Sequence, residues 1–157
     1  MDLRPHYHGQ VWMQANPPLA QDAGVAKIKT LLLAARPGLT GGAHDLAAAF
    51  KEPLHAPGDK VPDRSPAIVA LKERVEKLRT DVEGVTVEGA AAVSARDLTV
   101  RALLETDQAL GKLAETYAAP DQASATVLLA ESVRLLKDAK ATSLKAGKAL
   151  GIPWPLQ

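Results

Sequence analysis

The chain contains no cysteine among its 157 residues. That absence removes disulfide scaffolds, thiolate metal sites and thiol catalysis together, while leaving the redox compartment open. Aromatic residues are nearly as scarce, at 3% of the chain: Tyr7, Trp12, Phe50, Tyr117 and Trp154. A core made of Ala, Leu and Val buries little area per contact, so its stability has to come from long helix interfaces. Charge of one sign is missing too. A formal net charge of +1 supplies no whole-chain attraction for nucleic acid. The densest apolar run, around Leu31, Leu32 and Leu33, falls far short of the roughly 20 residues that a membrane span needs. The segment Met1-Asp2-Leu3-Arg4-Pro5-His6 lacks the apolar stretch of a secretory leader, and the expectation is a cytoplasmic protein.

What is present is apolar periodicity. Hydrophobic residues make up 46% of the chain, and Ile68, Leu71, Val75, Leu78, Val82 and Val85 recur at alternating steps of three and four. This spacing lays one stripe along a helix, which must be buried against other helices. The predicted fold is all-α: an elongated antiparallel bundle of about four to five helices, with an extended proline-containing N-terminal arm and a short Pro/Trp tail. The divisions read from composition are an arm over 1–20, a short helical segment over 21–52, a Pro-rich connector over 53–65, the main bundle over 66–150 and a tail over 151–157.

Within those divisions, Asp22 is the expected N-cap of a helix through Arg36, with Pro37-Gly38 closing it and a second short helix over Ala43–Lys51. Ser65-Pro66 starts the heptad helix, since proline at the first helical position loses no hydrogen bond. Gly84 to Gly89 encloses three β-branched residues between two glycines, which favours a kink or turn over one helix running from Pro66 to Ala118. The link Ala119-Pro120-Asp121 is short enough to force an antiparallel hairpin, capped by Asp121 and ended by Gly151 and Pro153. The expected hairpin core sets Val100, Leu103, Leu104, Leu110 and Ala114 against Val127, Leu128, Leu135, Leu136 and Ala139.

No catalytic motif stands out. His6, His8, His44 and His55 are weak candidates for a metal, because their spacing fixes no geometry. No histidine follows His55, so the Glu-x-x-His pattern of di-iron bundles is missing. Glu73, Glu76, Glu83 and Glu88 interleave with Lys72, Arg74, Lys77 and Arg79 as a solvated helix face does. Asp107 falls in the register between Leu103 and Leu110. The expectation is that Leu104 carries the stripe and Asp107 lies at its edge. A buried Asp107 would instead require Arg96, Arg101, Arg134 or Lys137 as its partner. Gly38-Leu39-Thr40-Gly41-Gly42 lacks the Lys-Ser/Thr step of a phosphate loop, and no serine sits in a nucleophile elbow. Lys137, Lys140, Lys145 and Lys148 give the last helix a basic flank, read as a solvated face that complements the helix dipole.

These features point to a non-enzymatic structural or adaptor protein, a subunit of a larger assembly or a homo-oligomer. It would engage protein partners through its helical faces and termini, with Tyr7, Trp12, Trp154 and Leu156 as the anchors. No cofactor is expected. Two alternatives remain at this level: a histidine-based metal-binding protein, and an amphipathic coat for a lipid or polymer surface.

Overall fold

The computed structural model describes residues 22–50 and 65–154, with side chains up to residue 44 in the first segment. Four helices and no strand occur among them: α1 (Ala23–Phe50), α2 (Ser65–Glu83), α3 (Ala90–Ala118) and α4 (Gln122–Leu150). Each helix packs mainly on its neighbour in sequence, α1 on α2, α2 on α3 and α3 on α4. Contacts run in opposite directions along each pair. Gly38 meets Arg74 while Gly42 meets Leu71, Lys72 meets Asp107 while Val85 meets Arg96, and Ala109 meets Ser132 while Glu105 meets Thr142. The helices therefore alternate up and down, and α3 and α4, at 29 residues each, are about 43 Å long.

The heptad stripe of α2 is buried as its spacing demands: Ile68, Leu71, Val75, Leu78 and Val82 join Val25, Ile28, Leu32 and Leu39 of α1 and Leu103, Leu110 and Leu113 of α3 in one core. Helix α1 departs from the expected pair of helices. It continues through Pro37, although proline forfeits the bond to the carbonyl four residues back and its ring presses on that carbonyl. The carbonyl belongs to Leu33, and both Leu33 and Pro37 are exposed, so water reaches the freed acceptor. Continuation also buries Leu39, seven residues after Leu32, and places the Gly38 carbonyl 2.7 Å from the Arg74 Nη1 that donates to it.

The break at residues 84–89 is real: α2 ends at Glu83, and Gly89 stands at the N-cap of α3. Asp22 explains how the break is held. Its Oδ1 accepts from the N–H groups of Gly24 at 2.8 Å and Val25 at 3.1 Å, capping α1, while Oδ2 accepts from Glu88 at 3.2 Å and Gly89 at 3.5 Å. One carboxylate thus caps a helix and pins the distant turn. The Glu88 N–H does most to hold the Asp22 carboxyl below the ordinary range, with those of Val25, Gly89 and Gly24 adding to it. Gly24 permits the approach, since a Cβ there would lie 2.1 Å from the Thr86 carbonyl oxygen.

The expected core of the hairpin needs correction on its second strand of residues. Leu103, Leu110 and Ala139 are buried and Val100, Ala114, Leu128 and Leu135 half-buried, but Leu104, Val127 and Leu136 are exposed. Helix α4 buries Ser132, Ala139, Thr142, Ser143, Ala146, Gly147 and Leu150 instead. Small side chains let the two axes approach closely, and the buried hydroxyls are satisfied: Ser132 Oγ donates to the Ala109 carbonyl at 2.9 Å across the interface, and Ser143 Oγ to Ala139 within the helix. Asp121 caps α4 as expected, accepting from the Ser124 N–H at 2.7 Å.

Two glycines of α1 separate these effects. Gly24→Ala is expected to cost at least about 2 kcal/mol in urea unfolding, because its Cβ collides with backbone, whereas Gly41→Ala, with open space around it, should stabilise by about 0.5–1 kcal/mol. Asp22 makes a further prediction. A carboxyl depressed in the folded state contributes stability that is present above its unfolded value, about 3.9, and lost as pH falls through the lower folded value. Asp22→Asn should therefore flatten the acid limb of a stability profile measured from pH 6 down to about 2. An unchanged limb would remove Asp22 as the clamp.

Candidate functional site

The amphipathicity of α4 is doubled. Its small-residue face lies against α3, while a second row carries large aliphatic side chains into solvent: Leu129 (44% exposed), Val133 (46%), Leu136 (42%) and Leu144 (50%). At 100° per residue these four lie within an arc of roughly 80°, and Lys140 falls inside it. Lys137 and Lys148 border the row on one side, and the acids Glu131 and Asp138 project from roughly the opposite side of the helix. Val127, 66% exposed, stands apart from the row. No other helix of the described residues packs substantially on α4 besides α3. Single exposed leucines are ordinary, but these four are aligned on one face of one helix.

A partly buried ionic cluster joins α2 to α3. Asp107 is buried, so the expectation that Leu104 carries the stripe is overturned, and the cation that reaches it is Lys72 of α2, with Nζ 3.1 Å from Oδ1. That approach is a charge contact rather than a directed hydrogen bond, since Oδ1 has no partner of hydrogen-bond geometry. Lys72 also binds Glu76 one turn along α2. Burial pushes the Asp107 carboxyl up, with the neighbouring Glu76 adding to this and Lys72 opposing it. Hydrogen bonding to Glu76, with the nearby charge of Asp107 adding to it, raises the Lys72 ammonium, and Lys72 in turn lowers the Glu76 carboxyl. Two acids share one ammonium. A slip of α2 along α3 would strand Asp107 without its cation, so the cluster sets register. The register between Leu103 and Leu110 left a buried Asp107 open, but the sequence offered no sign that Lys72 bends inward, because Lys72 sits in a run of alternating charges.

Trp154 also requires correction as an exposed anchor. It is 2% exposed and belongs to the core. Gly151, in the left-handed region with φ 70°, turns the chain after α4. Ile152 N–H then returns to the Gly147 carbonyl at 3.0 Å and Gly151 N–H to Lys148 at 3.3 Å, a Schellman ending. The segment lies so close over Gly147 that a Cβ there would be 2.9 Å from the Ile152 carbonyl oxygen. Of the remaining sequence candidates, His44 is exposed on α1, while His6, His8, His55, Tyr7, Trp12 and Leu156 lie outside the described residues. Among the described residues no three His, Asp or Glu side chains converge as metal ligands, and no helix is long and apolar enough to cross a membrane. An open groove of about 340 Å³ runs between α1 and α2 past Ala35, Leu39, Arg74 and Leu78, but Arg74 is spent on the Gly38 carbonyl, leaving no convergent polar set.

No family model, no curated protein and no solved structure matches this chain. The exposed row on α4 is therefore judged on its own chemistry.

Because Trp154 packs intramolecularly, Trp154→Ala should lower the stability of the isolated protein by roughly 3–5 kcal/mol. Urea denaturation followed by circular dichroism measures this, and an unchanged midpoint would show that the tail is not part of the core.

Proposed function

We propose that this chain is a non-enzymatic structural or adaptor protein that works as a subunit of a larger protein assembly. The observation that carries the reading is the row Leu129, Val133, Leu136 and Leu144, exposed on a helix whose other face is already occupied. Each of these side chains is about half exposed, so it forgoes about half of the 1.5–3 kcal/mol that full burial of a large aliphatic side chain contributes. A partner that covers them recovers much of this. The rest of the fold suits a rigid body: up-and-down helices joined by a pinned turn and a three-residue link, with the α2–α3 register locked by Lys72 and Asp107. Of the contact surfaces expected from the sequence, the termini and the helical faces, this reading rests on a helical face, since Trp154 is committed to the core.

Gentle chemical crosslinking in cells followed by native sizing tests the proposal. The expected outcome is that most of the chain migrates in a species heavier than its own 16.5 kDa, and that Leu136→Asp shifts it toward free protein without changing its helicity. A chain that migrates as a monomer throughout would sink the adaptor reading.

A further inference from the structure

The row on α4 has a charge as well as a shape, and the charge says what covers it. On α2 and α3 the cations are largely consumed locally: Lys72, Lys77, Arg79, Arg101 and Lys112 all hold carboxylates of their own or a neighbouring helix. On the exposed row of α4 they are not. Lys137, Lys140 and Lys148 form no ion pair among the described residues, and the acids of the helix, Glu131 and Asp138, face roughly the other way. The face is thus aliphatic along its middle and purely cationic within and beside it.

Resting on the adaptor reading, we propose that this face is the docking site for an acidic amphipathic helix of another protein. The row from Leu129 to Leu144 spans about 22 Å, so the partner helix needs at least about 15 residues, or four turns. It would present aliphatic residues at heptad spacing to the row and Glu or Asp side chains to the three lysines. A second copy of this chain fits poorly, because it would set three unpaired lysines against three more with no acid on either face. An anionic membrane fits poorly as well. The row is narrow, it bears no aromatic residue, and Lys140 lies inside the strip that would have to enter the lipid. A helix groove answers Lys140 with a carboxylate, which acyl chains cannot do.

The test uses the full chain and two synthetic 28-residue helices with Leu at heptad positions a and d, one carrying Glu and the other Lys at e and g. Calorimetry should show binding of the Glu helix, weakened roughly tenfold or more by raising salt, and little binding of the Lys helix. Reversing all three cations (Lys137→Glu, Lys140→Glu, Lys148→Glu) should exchange the preference. Leu136→Asp and, separately, Leu144→Asp should abolish binding while circular dichroism reports an unchanged fold. Equal binding of the two helices, or none by the folded protein, overturns the proposal. So does binding to phosphatidylserine–phosphatidylcholine vesicles in place of the Glu helix, or a dimer in sedimentation that Leu136→Asp dissociates. If the chain runs in a heavy native complex but ignores the Glu helix, only this inference falls and the adaptor reading stands.

Discussion

The close seam between α3 and α4 is the constraint on which the rest of the structure depends. A chain with five aromatics in 157 residues cannot fill wide gaps between helices, so its axes have to come together. Ser132, Ala139, Thr142, Ser143 and Ala146 make that possible on α4, and Ala102 and Ala109 on α3. Each contact contributes little, and length compensates. The hydroxyls in the seam turn inward to carbonyls, Ser132 across to Ala109 and Ser143 back to Ala139, so that close approach strands neither of them. With small residues along most of the inner face of α4, Leu129, Val133, Leu136 and Leu144 fall outside the seam. The exposed row is a consequence of how the seam is packed.

At the other end of the molecule the organising element is a carboxylate. Asp22 accepts four backbone N–H groups, two from the first turn of α1 and two from the end of the 84–89 segment. This ties α1, which comes early in the chain, to the α2–α3 turn some 66 residues later, and it leaves Val85 buried beneath the turn. The same economy appears at Lys72, which serves two acids at once. Both clusters act on geometry. One fixes where α1 starts, and the other fixes how far α2 slides along α3.

Much of the architecture was legible because helix signals are local. The Asp22 and Asp121 caps, the Ser65-Pro66 start, the glycine-flanked break after Glu83 and the Gly151 ending all depend on residues within a turn of one another. The α2 stripe was legible for the same reason, since three-four spacing has one interpretation when its apolar residues are large. Pro37 misled, because the cost of proline in a helix depends on whether water reaches the freed carbonyl of Leu33. That is a matter of which side of α1 faces out. On α4 the expected core was Val127, Leu128, Leu135, Leu136 and Ala139; Ala139 is buried and Leu128 and Leu135 are half-buried, but Val127 and Leu136 face out and small residues fill most of the seam.

The sequence by itself therefore determined the all-α architecture of the described residues, their helix ends apart from the passage through Pro37, and the order in which the helices follow one another. These are properties of neighbours along the chain. Only the tertiary structure decided which of two faces of α4 is buried, that Lys72 rather than Arg96, Arg101, Arg134 or Lys137 meets Asp107, and that Trp154 belongs to the core. Each of those depends on which surface arrives from a distant part of the chain. A face of Ser, Ala and Gly is buried only where a partner helix comes close enough to exclude water, and periodicity within one helix carries no information about that distance.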